Sequence, residues 1–324
     1  MGLAPDRPTG PTLDTDSGEA LLRRLELVVR HRLDGLLQGN YLGLVPGPGS
    51  EPGETRPYVT GDDVRRMDWA VTARTTEAHI RQTIADRERE TWLVVDLSAS
   101  LDFGTGRSDK RELALAAASA LVHLSARSGN RVGAVITTGE QLLPIPAVTG
   151  RPHARHLLRR IATTPRAHGG RRGDLAAALT SLQRPPRRRG RVVVISDFLG
   201  GGTFTEPDWQ RPLRALGSRH RLLAVELVDP RELELVAAGL VTFVDPESGE
   251  QVEVQTSDPR MRARYAEAAA EQRRAIATAV RRSGASHLQL RTDRDWVTDI
   301  VRFVLTQRRT GADGRPGPGR ASER

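Results

Sequence analysis

The feature that most constrains the fold of this chain is a short apolar strand that runs directly into a carboxylate. Four consecutive apolar residues at 92–95 lead into Asp96, and Ser98 and Ser100 follow at alternate positions. An apolar run of this length is typical of a buried strand in a parallel sheet, and such sheets bind ligands at the carboxyl ends of their strands. One carboxylate and two hydroxyls are hard oxygen ligands of the kind that Mg²⁺ prefers. The segment therefore predicts a cation-binding loop at a sheet edge.

The chain from residue 91 onward alternates between apolar strands and helix-forming stretches. Strands are predicted at 91–96, 131–137, 192–196, 222–228 and 286–290. Helices are predicted at 109–128, 151–162, 174–183, 207–218 and 295–307. This alternation predicts an α/β fold with a doubly wound, mostly parallel sheet of the Rossmann type.

One stretch interrupts the alternation. Two extended segments flank an Asp-Pro-Glu-Ser-Gly-Glu turn at 245–250, which predicts a small β-hairpin. A long charged helix is predicted next, at 258–283. Hairpin and helix together form a predicted insertion at 240–283.

Changes in composition predict where the chain divides into segments and domains. The predicted divisions are a disordered N-terminus (1–16), an N-terminal segment (17–88), the strand-and-helix domain with its insertion (89–307) and a disordered tail (308–324). Within the N-terminal segment we expect a helix at 18–38 and an extended piece at 79–85. The Pro and Gly content of 43–57 predicts a loop.

The composition excludes several classes of protein. The 324 residues contain no cysteine, which excludes disulfides, Cys-bound zinc and thiol catalysis. The first residues are not followed by the apolar core that a secretory signal peptide contains. The longest apolar stretch, 113–122, has about half of the ~20 residues that a membrane span needs. We therefore expect a soluble, cytoplasmic protein without a membrane span.

Arginine supplies nearly all of the basic charge, because the formal charge is +9 and Lys110 is the only lysine. The arginines could form a surface for nucleic acid or an acidic partner, or they could be spread over solvated faces. No nucleic-acid motif and no pattern of arginine beside aromatic residues accompanies the charge. We favour the second interpretation.

A second carboxylate follows a second apolar strand. The strand at 192–196 leads into Asp197, and a run of glycines begins at Gly200. In a parallel sheet both carboxylates can face one crevice, and burying them together costs free energy unless a cation or donor compensates. The alternative is a capped turn without metal. The predicted metal ligands are Asp96, Ser98, Ser100 and Asp197.

Two motifs resemble known families. The sequence DLSAS at 96–100 and the pair Ser196-Asp197 resemble the first and third loops of the metal-ion-dependent adhesion site of von Willebrand factor A domains. The segment Arg56–Arg74, RPYVTGDDVRRMDWAVTAR, resembles the hallmark R-x-Y-x-x-G-D-D-x-R-x-I-D-W-x-x-x-A-R of the DUF58 family. That family joins such a segment to a von Willebrand A-like domain, so the resemblance implies this fold here.

The resemblance also implies a ligand set. In such sites a threonine on a second loop, within a Gly-Thr-Asp-Leu pattern, completes the coordination of Mg²⁺, Mn²⁺ or Ca²⁺. This chain has Gly173 in place of the threonine, so one hydroxyl ligand is missing. A water or Asp174 could substitute, or the metal affinity could be weak or lost. Asp174 could equally be the N-cap of the helix at 174–183.

The function that the resemblance implies is binding. In these sites the metal keeps an open coordination position that a partner's carboxylate fills, and family members accompany MoxR-type AAA+ ATPases that act on client proteins. We therefore predict a non-enzymatic, chaperone-like adaptor for such an ATPase and an unknown client.

Two other functions stay open as alternatives. One is a metal-dependent hydrolase or phosphoryl-transfer enzyme that uses Asp96. Phosphatases of that style need a second Asp two residues further on, where this chain has Ser98. The other is an Arg-rich nucleic-acid binder.

Mixed charge surrounds large apolar residues in the segment 56–74. Its charged residues are Arg56, Asp62, Asp63, Arg65, Arg66, Asp68 and Arg74. Their position around Tyr58, Met67 and Trp69 predicts a salt-bridge network that holds the segment on the sheet domain. A docking surface is the alternative.

Overall fold

The computed structural model describes residues 15–33, 55–58, 67–75, 77–81, 90–127, 129–166, 173–183, 190–201, 206–245 and 249–313. Its helices are α1 (Thr15–Val28), α2 (Trp69–Thr75), α3 (Lys110–Arg127), α4 (Arg151–Thr163), α5 (Leu175–Ser181), α6 (Gln210–Gly217), α7 (Pro259–Arg282) and α8 (Trp296–Asp313). Its strands are β1 (Thr55–Pro57), β2 (His79–Arg81), β3 (Glu90–Asp96), β4 (Arg131–Thr137), β5 (Leu142–Val148), β6 (Gly190–Ser196), β7 (Arg221–Val228), β8 (Leu240–Val244), β9 (Gln251–Gln255) and β10 (Ser286–Arg291). The shorter helical turns are a π-helical turn at Val29–Leu33 and 3₁₀ turns at Ala99–Leu101 and Pro230–Glu232.

A six-stranded sheet forms the centre of the fold, in the order β10-β7-β6-β3-β4-β5. All neighbouring pairs are parallel except β4 and β5. The central strands are apolar because helices cover both faces of a parallel sheet. Leu93, Val94 and Val95 in β3 and Val193 and Val194 in β6 are fully buried. The predicted doubly wound, mostly parallel α/β fold is confirmed.

The helices form two layers, one on each face of the sheet. On one face α1, α3, α4 and α8 pack with Leu93 and Val95 of β3. On the other face α5, α6 and α7 pack with Trp92 and Val94. This division follows from the two-residue period of a strand. The carboxyl ends of β3, β6 and β7 meet at one edge of the sheet, between the two layers.

The longest apolar stretch of the chain, 113–122, lies inside α3. All of its residues are buried, because α3 lies between the sheet and the helices α1, α4 and α8. An apolar helix of this kind belongs to a protein core. Among the described residues, no helix combines the length and the apolar character that crossing a membrane requires.

Strand β5 is missing from the sequence-based prediction. It contains Pro144 and Pro146, which argue against a strand because proline cannot donate to a sheet ladder. In the structure β5 is an edge strand that pairs with β4 alone. One side of β5 therefore needs no donors, and the two prolines fit there. Because of these prolines we predicted five strands, and the sheet has six.

The N-terminal elements differ from the prediction at their boundaries. The helix predicted at 18–38 begins at Thr15. Residues 55–57, predicted as the end of a loop, instead form β1 and pair antiparallel with β2. Strand β2 itself begins where the extended piece at 79–85 was expected. The rest of that loop and of that piece lies outside the described residues.

The predicted disorder at the two ends is partly wrong. Residues 15 and 16 belong to α1, and 308–313 belong to α8. Helix α8 therefore extends six residues beyond its predicted end at 307. The predictions for 1–14 and 314–324 lie outside the described residues.

The predicted hairpin and long helix are both present. In the hairpin, Val241 lies opposite Val254 and Phe243 lies opposite Val252. Helix α7 then begins because the Asp258 carboxylate accepts the backbone N–H of Arg260 at 2.8 Å, and a proline at the first helical position suits this start. The insertion thus leaves the sheet after β7 and returns to it at β10.

Candidate functional site

The loop after β3 is shaped by Asp96 itself. Its Oδ1 atom accepts the backbone N–H of Ser98 at 3.0 Å, which turns the chain at the end of the strand. The N–H of Leu97 donates to the carbonyl of Thr137 at 2.8 Å and fastens the loop to β4. A 3₁₀ turn follows, and it leaves the hydroxyls of Ser98 and Ser100 with their Oγ atoms 3.3 Å apart.

The structure brings the four predicted ligands together across the ends of β3 and β6. Ser100 hydrogen-bonds to the carboxylate of Asp197. Ser196 donates its hydroxyl to Oδ2 of Asp96 at 2.8 Å. The cluster therefore holds two carboxylates and three hydroxyls. Ser196 was not predicted as a site residue, although its position directly before Asp197 was the available signal.

The two carboxylates are almost completely buried. Asp96 is 4% exposed and Asp197 is 1% exposed. Burial and, to a smaller extent, the charge of Asp197 together raise the pKa of Asp96 to about 6, against hydrogen bonds from Ser98 and Ser196 that favour the charged form. Burial also acts to raise the pKa of Asp197, but Lys110 outweighs it and holds that pKa below its ordinary value.

Lys110, the only lysine, is the functional residue that sequence reasoning missed. Its Nζ atom donates to Oδ2 of Asp197 at 2.9 Å and to Oε1 of Glu232 at 2.5 Å, and the side chain is 1% exposed. Burial acts to lower the pKa of Lys110, but the two carboxylates raise it above its ordinary value, so that the ammonium stays charged. A lone lysine at the start of a helix carries no local pattern that would reveal this role.

A chain of buried charges continues from Lys110 to the insertion. Glu232 accepts Arg273 of α7 at 3.1 Å, and Arg273 also donates to Glu226 of β7 at 3.1 Å. Glu226 in turn lies 2.9 Å from Nε2 of His287 in β10. The candidate site is thereby joined to α7 by ion pairs rather than by apolar packing alone.

In the wider network that extends from Asp96 to α7, carboxylates outnumber the permanently charged cations. Two permanent cations, Lys110 and Arg273, face four carboxylates. The four are Asp96, Asp197, Glu226 and Glu232. Within the described ranges, no three side chains of the His, Asp and Glu types are arranged to hold a metal ion. A cation at Asp96 would therefore need serine hydroxyls among its ligands, which is a donor set that suits Mg²⁺.

Position 173 faces the cluster. A Cβ atom built on Gly173 would lie 2.9 Å from both Oδ1 of Asp96 and Oγ of Ser98. The glycine therefore stands where the resemblance places a threonine ligand. Asp174 is exposed, and its Oδ1 atom accepts the N–H of Ala177 at 2.6 Å, so that it is the N-cap of α5.

The loop after Asp197 is held by hydrogen bonds between residues that are two positions apart in the sequence. The N–H of Leu199 donates to Oδ1 of Asp197 at 3.1 Å, and the N–H of Phe198 donates to the Ser196 hydroxyl at 3.0 Å. Phe198 has a φ of 59°, which non-glycine residues rarely adopt, and its ring packs edge-on against Trp209 with centroids 5.0 Å apart. Packing of this kind fixes a strained turn and with it the position of Asp197.

The structure describes part of the segment 56–74, at 56–58 and 67–74. Trp69, at the start of α2, is 71% exposed. Asp68 caps the same helix, because its Oδ1 atom accepts the N–H of Val71 at 3.2 Å. The charged residues at 59–66 lie outside the described residues, so the salt-bridge network stays a prediction.

The fold and site define an α/β domain with a polar cluster at the carboxyl edge of its sheet. The family described as protein of unknown function DUF58 matches residues 54–275. The chain belongs to the DUF58 family, as its hallmark segment predicts.

Proteins and solved structures that are similar to this chain include the following. The uncharacterized proteins Rv1480 of Mycobacterium tuberculosis and Mb1516 of Mycobacterium bovis are each 56% identical over 302 residues, which cover 93% of this chain and 93% of each relative. Among solved structures, BatB from Bacteroides thetaiotaomicron is 14% identical with a TM-score of 0.42, over 68% of this chain and 99% of that one. A von Willebrand factor type A protein from Catenulispora acidiphila is 14% identical with a TM-score of 0.34, over 71% of this chain and 43% of that one.

Proposed function

We propose that this protein is a non-enzymatic binding adaptor whose sheet edge holds Mg²⁺ and, through it, a carboxylate of a partner protein. One observation carries the proposal: Asp96 and Asp197 are buried side by side among serine hydroxyls, with more negative than positive charge in the cluster. Such a cluster is costly to bury unless a cation is added to it. Membership of a family with a von Willebrand A-like fold is consistent with a binding role.

The residues of this site have different roles in the proposal. Asp96, Ser98 and Ser100 would hold the ion, and Lys110 would keep Asp197 charged and fixed beside it. A bound Mg²⁺ supplies a coordination position at which an incoming carboxylate can replace water. Mn²⁺ or Ca²⁺ could take the same oxygen ligands.

The residues at the strand end support binding better than catalysis by Asp96. Oδ1 of Asp96 accepts the Ser98 N–H and Oδ2 accepts the Ser196 hydroxyl, and each oxygen keeps a second lone pair that a cation can bind. Ser98 also occupies the place where a phosphatase of this style has its second Asp.

The partner in this proposal is a MoxR-type AAA+ ATPase, with a client protein as the third component, in the cytoplasm. Both come from the resemblance to the DUF58 family. The docking chemistry in this proposal is an oxygen-ligated cation open to a carboxylate, which the buried oxygens of Asp96, Ser98 and Ser100 support, and this chemistry gives the proposal its tests.

Gly173→Thr will raise the affinity for Mg²⁺ by about tenfold, because it adds a hydroxyl beside Asp96 and Ser98 once the backbone at 173 shifts to relieve the 2.9 Å contacts of the new Cβ atom. Gly173→Ala is the matched control, since it adds the same Cβ without the hydroxyl and will not raise the affinity. Isothermal titration calorimetry with Mg²⁺ at pH 7.5 measures both variants. Equal affinities for the threonine and alanine variants would show that a hydroxyl at position 173 does not reach the ion.

Asp96→Ala will abolish Mg²⁺-dependent binding of the purified MoxR-type ATPase from the same organism while leaving the fold intact. The reason is that the variant removes a ligand at a strand end without opening a large core cavity. Biolayer interferometry in Mg²⁺ and in EDTA gives the comparison. Asp174→Asn serves as the control, because it removes a neighbouring carboxylate but keeps a side chain that can cap α5.

Two results would contradict this proposal. If Asp96→Ala binds the ATPase as the wild type does, and EDTA has no effect, then docking does not use the cluster. If the wild type takes up no Mg²⁺, Mn²⁺ or Ca²⁺ in calorimetry, the site works without a metal ion.

A further inference from the structure

The residues 233–257, which we call the acidic arm, have a charge opposite to that of the chain around them. They contain five acids and no lysine or arginine. The acids are Glu234, Asp245, Glu247, Glu250 and Glu253. The whole chain has 49 basic and 40 acidic residues, so without the five acids of the arm its formal charge is +14. Charge this unevenly divided is typical of surfaces that meet a complementary partner.

The acidic arm also exposes apolar side chains. Leu240 is 62% exposed, Val244 is 55% exposed, and Val236 and Val252 are exposed as well. Strands β8 and β9 pair only with each other among the described residues, so the outer edge of each is open. A two-stranded hairpin is marginally stable by itself and gains from a covering surface. Clustered apolar residues and open edges mark an interaction site.

Hydrogen bonds close the base of the acidic arm, and one further bond ties this base to α7. Thr256 is the central residue, because its N–H donates to the carbonyl of Gly239 at 2.8 Å and its hydroxyl accepts the N–H of Ala238 at 2.9 Å. Arg262 of α7 donates to the carbonyl of Thr256 at 2.6 Å. The base is therefore ordered, and an ordered arm loses less entropy when it binds.

Helix α4 has four arginines and no acid, and we call its exposed surface, together with the part of α1 that packs against it, the basic face. The two helices pack together, and Arg155 of α4 pairs with Glu26 of α1 through two contacts of 3.1 Å. Arg23, Arg151 and Arg160 are exposed around this pair. Leu27 is exposed among them. The basic face thus offers both charge and apolar contact to the acidic arm.

The two surfaces lie far apart within one molecule. The acidic arm leaves the sheet after β7, the second strand from one edge, and leads into α7 on one face. The basic face belongs to the other helical layer, where α4 packs near β4 at the opposite edge. The arm of one molecule therefore cannot reach its own basic face. Two arms would repel each other, because both are acidic.

We propose that the acidic arm of one molecule docks on the basic face of a second copy. The contact joins two different surfaces, so it is head-to-tail and produces either a closed ring or an open chain of molecules. It involves no metal ligand, so it is independent of the proposed function, and EDTA will not weaken it.

Sedimentation velocity of the nuclease-treated full chain in EDTA tests the association. At ~50 mM salt the average mass will rise with protein concentration, and at ~500 mM salt it will fall to that of the monomer because exposed ion pairs are screened. A monomer at every concentration in low salt would overturn the proposal. So would association that disappears after nuclease treatment, since nucleic acid would then be the bridge.

Two variants identify the surfaces. Glu234→Arg/Glu253→Arg alters the acidic arm, and Arg151→Glu/Arg160→Glu alters the basic face; all four side chains are exposed. Each variant alone will be monomeric. Mixed together they will associate again, because the intact arm of one fits the intact basic face of the other and the two altered surfaces also carry opposite charges.

Glu267→Arg/Glu271→Arg on α7 is the control, because it changes the net charge as the arm variant does but leaves the acidic arm unaltered. It will associate as the wild type does. Circular dichroism confirms that all variants are folded. A mixture that stays monomeric, or an arm variant that still associates alone, would show that the contact uses other surfaces.

Discussion

Lys110→Met will lower the free energy of unfolding by about 3–5 kcal/mol, because it leaves buried carboxylates without their cation. Methionine has nearly the length of lysine, so the variant removes the charge without opening a large cavity. Asp197 and Glu232 then lose the ammonium that lies 2.9 Å and 2.5 Å from them. Urea denaturation at pH 7.5 in EDTA measures the loss.

Two further variants show whether charge causes this loss. Lys110→Met/Asp197→Asn will recover part of the stability, because the uncompensated carboxylate is removed together with the lysine. Arg32→Met breaks an exposed ion pair with Asp295 and will have a far smaller effect. A loss of less than about 1 kcal/mol for Lys110→Met would mean that water reaches Asp197 and replaces the ammonium.

Asp96→Asn will make the metal-free protein more stable above pH 6, by about 3 kcal/mol. The pKa of Asp96 is raised from 3.8 to about 6 in the folded protein, so the folded state binds this proton more tightly than the unfolded state does. The stability of the wild type therefore falls as the pH rises from 4 to 6. Asparagine carries no charge at any pH, so the variant lacks this decline.

Thermal or urea unfolding in EDTA at pH 4.5 and pH 7.5 compares the two proteins. Saturating Mg²⁺ at pH 7.5 will stabilise the wild type and not Asp96→Asn, since the ion binds the folded state through this carboxylate. Parallel pH profiles for the two proteins would contradict the raised pKa. A wild type that Mg²⁺ does not stabilise would count against the metal site.

The sheet and the cluster on it could be predicted because their sequence signals are local. Strands β3 and β6 are short apolar runs that end in carboxylates, and the rule that ligands bind at strand ends placed Asp96 and Asp197 together. Strand β5 escaped prediction because its two prolines contradict strand propensity, and only its position at the sheet edge resolves the conflict.

The buried charges could not be predicted, because they depend on contacts between distant parts of the chain. Lys110 meets Asp197 across 87 residues and Glu232 across 122 residues. No periodic pattern or short motif marks such pairs. Sequence reasoning treated the basic charge of the chain as one quantity, whereas the structure separates the buried Lys110 and Arg111 from the arginines on the surface.

The burial of Lys110 also determines how this protein can be modified. It is the only lysine in the chain, and its ammonium is charged, enclosed and bonded to two carboxylates. Acylating reagents and enzymes that tag lysine need an accessible, neutral amine, so the folded protein offers them no lysine side chain. Acetylation or conjugation at residue 110 would therefore report molecules in which the ion pairs around the sheet edge have opened.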